Sequence, residues 1–151
     1  ALFEASFFAG ALLCKNDEKE LRKYKRLGHY IGMIFQLTDD LIDFEETEEQ
    51  AKKPVQSDYE QGIYTLPLIY TMKNLEEFKD RLSREKIPRS ELNFTVTKTG
   101  GLKFTRLISK KYYDKAFSII KKLNLSSDKQ KKLKAVLDKA YYGLKGSGNS
   151  I

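Results

Sequence analysis

Cysteine is almost missing from this chain: Cys14 is the single one in 151 residues. No intrachain disulfide can form, and a reducing, cytoplasmic setting suits the chain. Cys14 sits in the apolar run ALFEASFFAGALLC, a setting that predicts a buried, inert thiol. Proline and glycine are scarce as well, at three and nine residues. So few breakers leave long uninterrupted stretches, which favours helices. The clustered glycines Gly100, Gly101, Gly143, Gly146 and Gly148 mark expected breaks. There is no internal repeat and no strand pattern longer than a few residues. No apolar run reaches the ~20 residues that span a bilayer. The longest, at the start, is interrupted by Glu4 and lacks the charged leader of a signal peptide. It also lacks an initiator Met and a helix cap, so it reads as the middle of a longer protein.

What is present is a globular composition, 40% hydrophobic and 32% charged. The net charge of +7 is uneven. Residues 1–60 carry 8 basic and 13 acidic side chains, and residues 61–151 carry 20 basic and 8 acidic. The later lysines are scattered along helical patterns such as KKLKAVLDKAYYGLK, as expected of solvated helix faces. Attraction to anionic lipid or nucleic acid is the alternative.

The apolar spacing predicts an all-α chain. A first helix is expected over 2–13, with small residues Ala5, Ser6, Ala9, Gly10 and Ala11 that permit close helix contact. Asp17 and Glu20 fit a capping box. A second helix follows over 18–46, with Gly28 and Gly32 on one face where a neighbour's backbone fits. Residues 47–61 read as a loop. A third helix covers 63–78, with Pro67 in its first turn and Thr65 as cap. Residues 80–90 are charged, and Pro88 opens a short helix over 90–99. Long helices are expected over 102–123 and 128–144. Residues 1–144 form one helical domain, and 145–151 a flexible tail.

The run FQLTDDLIDF places Asp39, Asp40 and Asp43 in apolar surroundings. On a helix, residues three or four apart share a face. Gln36, Asp39, Asp40 and Asp43 therefore make one polar stripe flanked by Phe35, Leu37, Leu41, Ile42 and Phe44. Like charges repel and carboxylates are costly to bury, so the stripe calls for a cation. Hard oxygen donors suit Mg²⁺, which takes one or two carboxylates, keeps several waters and bridges to phosphates. A solvated acidic face is the plain alternative. An EF-hand is a poor fit, because there is no alternating D-x-D-x-D and no turn glycine.

Taken together, these residues resemble the trans-isoprenyl diphosphate synthase family, the polyprenyl synthetases. That family's second aspartate-rich motif reads G-x-x-F-Q-x-x-D-D-x-x-D, and GMIFQLTDDLID matches each defining position from Gly32 to Asp43. AKKPVQSD resembles its G-K-P-x-x-x-D loop, and GIYTLPLIY its T-L-P-L helix. The opening ALFEASFFAGALL and the later TGGLKFTRLISKKYYDKAFSIIKKL resemble two further family helices. The resemblance implies an antiparallel helical bundle, here the C-terminal half of the isoprenoid synthase fold. It implies a transferase that condenses an allylic diphosphate with isopentenyl diphosphate, head to tail, by Mg²⁺-assisted ionisation. Asp39 is then a direct metal ligand, and Asp40 and Asp43 hold metal-bound waters or the shape of the site. Gln36 bonds near the metal–diphosphate cluster, Lys53 contacts the allylic diphosphate, and Phe35 lies near the isoprenoid or isopentenyl substrate.

The departures have consequences. Ile63-Tyr64 stand where many members place a second lysine, and Lys52 replaces the glycine of G-K-P. The family's first aspartate-rich motif belongs ahead of this stretch, so 151 residues alone are expected to be inactive. A homodimer or heterodimer is implied, nucleic acid is not, and there is room for peripheral membrane association of the product-bound enzyme. Other readings stay open. One is a non-catalytic accessory subunit or helical interaction module of a heteromeric synthase. Another is a basic module acting through residues 61–151, which gives no reason for FQLTDDLID. A terpene cyclase is disfavoured by the K-P loop and T-L-P helix.

Overall fold

A computed structural model describes residues 1–45 and 57–143, and every regular element in them is helical. The helices are α1 (Leu2–Leu13), α2 (Glu18–Glu45), the single turn α3 (Ser57–Glu60), α4 (Leu66–Asn74), α5 (Glu76–Arg84), α6 (Arg89–Lys98), α7 (Gly101–Lys122) and α8 (Ser127–Tyr142). The chain divides into two compact units. Ala1–Thr38 and Ser109–Ile151 form the first, and Asp39–Ile108 the second.

In the first unit, α1 and α2 run antiparallel, because Phe3 meets Gly32 while Glu4 reaches back to Gly28 and Lys25. The Asp17 carboxylate accepts the Glu20 N–H at 2.8 Å and caps α2. Glu20 turns instead to Lys23, so only half of the capping box forms. The Gly28 expectation holds: a Cβ there would lie 2.6 Å from the Phe3 carbonyl oxygen. Leu27, Ile31 and Ile34 of α2 are fully buried against Ala116 and Ile120 of α7 and Leu137 of α8. Each such aliphatic side chain contributes about 1.5–3 kcal/mol on burial. The Lys23 ammonium donates to the Lys122 carbonyl at 2.9 Å, and Tyr30 rings against Tyr112 further on, so α2 and α7 are antiparallel. Tyr113 donates to Asp138 at 2.7 Å, and α8 returns along α7.

The second unit closes around Phe44, Leu68, Phe78, Leu82, Ile87, Leu92 and Val96. The threonine-rich α6 forms despite its weak propensity, because Leu92 and Val96 are fully buried. The Thr99 hydroxyl lies 2.8 Å from that of Thr71 and 2.9 Å from the Thr95 carbonyl, so these polar groups are satisfied. At the α6–α7 joint Gly100 has φ +84°. A Cβ on Gly101 would come within 2.4 Å of the Pro67 carbonyl oxygen. Pro67 does lie in the first turn of α4, but Thr65 at its head makes no side-chain cap bond.

Three expectations are corrected. Cys14 is exposed, not buried. It follows the end of α1, and of that helix only Ala11 is buried, while Leu2, Leu12 and Leu13 face solvent. The single helix expected over 63–78 is two, broken at Leu75 with φ −142° and ψ 89°. The Asn74 side chain bonds the Tyr70 carbonyl at 2.7 Å, and the chain restarts at Glu76 to turn Phe78 and Leu82 inward. The stretch 47–61, expected to be a loop, includes the turn α3 at its end. The tail expected over 145–151 lies outside the described residues.

Candidate functional site

Helix α2 carries the acidic run in its last three turns, so helical spacing alone sets Gln36, Asp39, Asp40 and Asp43 on neighbouring faces. Their exposure differs sharply. Asp40 and Asp43 are 5% and 4% exposed, Asp39 is half-buried, and Gln36 and Phe35 are exposed. Leu37, Leu41 and Phe44, the apolar members of the same turns, are buried. The Phe35 ring packs on Phe3 with centroids 5.3 Å apart. Lys53 lies outside the described residues. Gln36 and all three aspartates have interaction partners, as buried polar groups require.

The acidic end of α2 is held from outside. Asn93 of α6 donates to the Phe44 carbonyl at 3.2 Å, and Arg106 of α7 pairs with Glu45. Just before the run, in the first unit, the Thr38 hydroxyl donates to the Ala140 carbonyl of α8 at 2.9 Å. These three positioning residues were not singled out from the sequence. Their signal was weak: Thr38 and Asn93 are poor helix formers inside helices. The K-P loop itself lies outside the described residues; just after it, the Asp58 carbonyl accepts Ile63 N–H at 2.7 Å and Gln61 N–H at 3.1 Å.

The donor chemistry limits what the run can hold. Among the described residues, no three of Asp, Glu, His and Cys converge to hold one ion. An all-protein cage is therefore not built from these residues. A hard cation taking one or two of these carboxylates, with water and phosphate oxygens for the rest, matches the set.

Known proteins align with this arrangement. The profile of the family described as Polyprenyl synthetase matches residues 1–98, well over half of the chain. Heptaprenyl diphosphate synthase component 2 of Geobacillus stearothermophilus is 33% identical over 124 residues, covering 79% of this chain and 38% of that protein. The crystal structure of heptaprenyl diphosphate synthase from Staphylococcus aureus superposes with a TM-score of 0.82 at 31% identity, over 93% of this chain and 46% of that one. Polyprenyl synthase from Caulobacter crescentus, crystallised with calcium and isoprenyl diphosphate, has a TM-score of 0.82 at 26% identity, over 93% of this chain and 45% of its own. The chain thus spans less than half the length of these relatives. Its helices carry the isoprenyl synthase fold, and the chain belongs to the polyprenyl synthetase family.

Proposed function

We propose that this chain forms one acidic wall of a prenyltransferase that joins an allylic diphosphate to isopentenyl diphosphate, head to tail. One observation carries the reading. In a member of the polyprenyl synthetase family, the run from Gly32 to Asp43 stands in register on one helix, with Asp40 and Asp43 withdrawn from solvent and Asp39 half-buried. The calcium and isoprenyl diphosphate in the Caulobacter crescentus structure support a divalent cation and an isoprenoid diphosphate as ligands.

In this reading Asp39 holds Mg²⁺, while Asp40 and Asp43 hold its waters or the shape of the site. Bound Mg²⁺ supplies the Lewis acidity that stabilises charge on the departing diphosphate. Gln36 offers its amide to the diphosphate region, and Lys53 meets the allylic diphosphate as a point charge. Phe35 shelters the isoprenoid chain from water. A diphosphate carries about three negative charges, and gripping it takes cations on more than one side. The 151 residues therefore act with a second acidic wall, not alone.

The test is Asp39→Ala in a protein carrying both walls. Turnover is expected to fall about 10²–10³-fold or more while the helical circular dichroism stays unchanged. Normal turnover in the folded variant refutes the assignment. Two relatives are named as component 2 of a heptaprenyl synthase, which supports a second reading as a subunit of a heteromeric enzyme. Co-purification of a distinct prenyl synthase subunit with the chain tests that reading, and a strict homomer contradicts it.

A further inference from the structure

The first half of α2 is as basic as its last turns are acidic. Lys19, Arg22, Lys23, Lys25 and Arg26 line a concave hollow of about 900 Å³, joined by Lys122 from the end of α7. Tyr30 and Ile119 add apolar lining, and Glu4 is the sole carboxylate among the lining residues. Part of the charge is answered locally. Lys25 and His29 lie 3.5 and 3.7 Å from Glu4, Arg22 lies 3.0 Å from Glu18, and Lys23 pairs with Glu20. Lys19, Arg26 and Lys122 form no ion pair with any described residue. Six cations against three carboxylates leave an excess of positive charge in a concave site, where the field is focused rather than spread. The groove is separate from the acidic run: Arg26 stands ten residues before Gln36, roughly 15 Å of helix.

We infer that this groove binds a multiply charged phosphoryl group, either a free oligophosphate or the headgroup of an anionic phospholipid. The planar fork of Arg26 suits two phosphate oxygens at once, and the lysines add point charges around it.

Two arms separate the sources. The protein is titrated with inorganic tripolyphosphate by calorimetry, and it is sedimented with vesicles of phosphatidylglycerol in phosphatidylcholine against phosphatidylcholine alone. Arg26→Glu with Lys122→Glu reverses two exposed groove charges. Lys129→Glu with Lys131→Glu makes the same net change at exposed positions of α8 outside the groove. The expected result is binding in one arm, weakened about tenfold or more by the groove pair and unchanged by the α8 pair. Calorimetric binding identifies a free anion, and sedimentation only with the anionic vesicles identifies a headgroup. Absence of binding in both arms overturns the inference, and so does an equal loss from both pairs, which means net charge alone. Circular dichroism checks folding, and Arg26→Gln with Lys122→Gln replaces the reversal pair if that pair does not fold.

Discussion

Asp39 keeps contact with solvent that Asp40 and Asp43 have lost, and the three should therefore respond differently to substitution. Removing a buried, partnered carboxylate strands the group that bonded it, at a cost of about 1–3 kcal/mol. Asp43→Ala is expected to lower the unfolding midpoint in urea, and Asp39→Ala, which loses less buried contact, to lower it less. Equal destabilisation by both contradicts the difference in burial. A second residue-scale case is Tyr113. Burial, and then its hydrogen bond to Asp138, push its hydroxyl above the usual tyrosine range. The folded state then holds the phenolic proton more tightly than the unfolded chain does. That stabilisation is complete below the ordinary pKa near 10 and is lost as pH rises through the raised folded value. Thermal melts should decline above pH ~10, and Tyr113→Phe should flatten the decline while costing up to about 1 kcal/mol at neutral pH. At this scale, the acidic stripe was legible because helical spacing alone aligns Asp39, Asp40 and Asp43. Which carboxylates sink was not, since that depends on helices far off in sequence. Cys14 shows the same limit from the other side: an apolar neighbourhood in sequence did not become burial in space.

Among the elements, the contact of α1 with α2 was readable in advance, because Gly28 and Gly32 are spaced to expose backbone. Gly28→Ala presses a methyl against the Phe3 carbonyl oxygen at 2.6 Å and the Glu4 Cα at 2.9 Å, neither of which can swing away. The expected cost is about 1–3 kcal/mol by denaturant unfolding. At Gly32 the nearest atom is the Phe3 Cβ at 3.2 Å, so alanine there should cost less. A neutral Gly28→Ala rules out the close packing. The break at Leu75 was hidden, because no proline or glycine marks it. It arises where Asn74 bonds back to Tyr70 and where α5 must present Phe78 and Leu82 to the core. The existence of α6 was legible only from its bounds, Pro88 and Gly100, because its own residues are weak helix formers.

For the molecule as a whole, composition was enough for the helical class, and the run in α2 with its K-P and T-L-P neighbours was enough for the family. The reach of the function is set by how much of the fold is here: the chain spans 38% of the Geobacillus stearothermophilus relative and 46% of the Staphylococcus aureus one. The purified 151-residue chain, given allylic and isopentenyl diphosphates with Mg²⁺, is accordingly expected to form no longer prenyl product, and elongation by it defeats the need for a second wall. Asp39, in the proposed role, holds a metal ion that binds together with diphosphate. The most direct measurement of that role is a count of Mn²⁺, standing in for Mg²⁺, by electron paramagnetic resonance on the two-walled protein with diphosphate present. Asp39→Ala is expected to lose bound Mn²⁺ relative to the unsubstituted protein. Identical stoichiometry and affinity in the two proteins would contradict it.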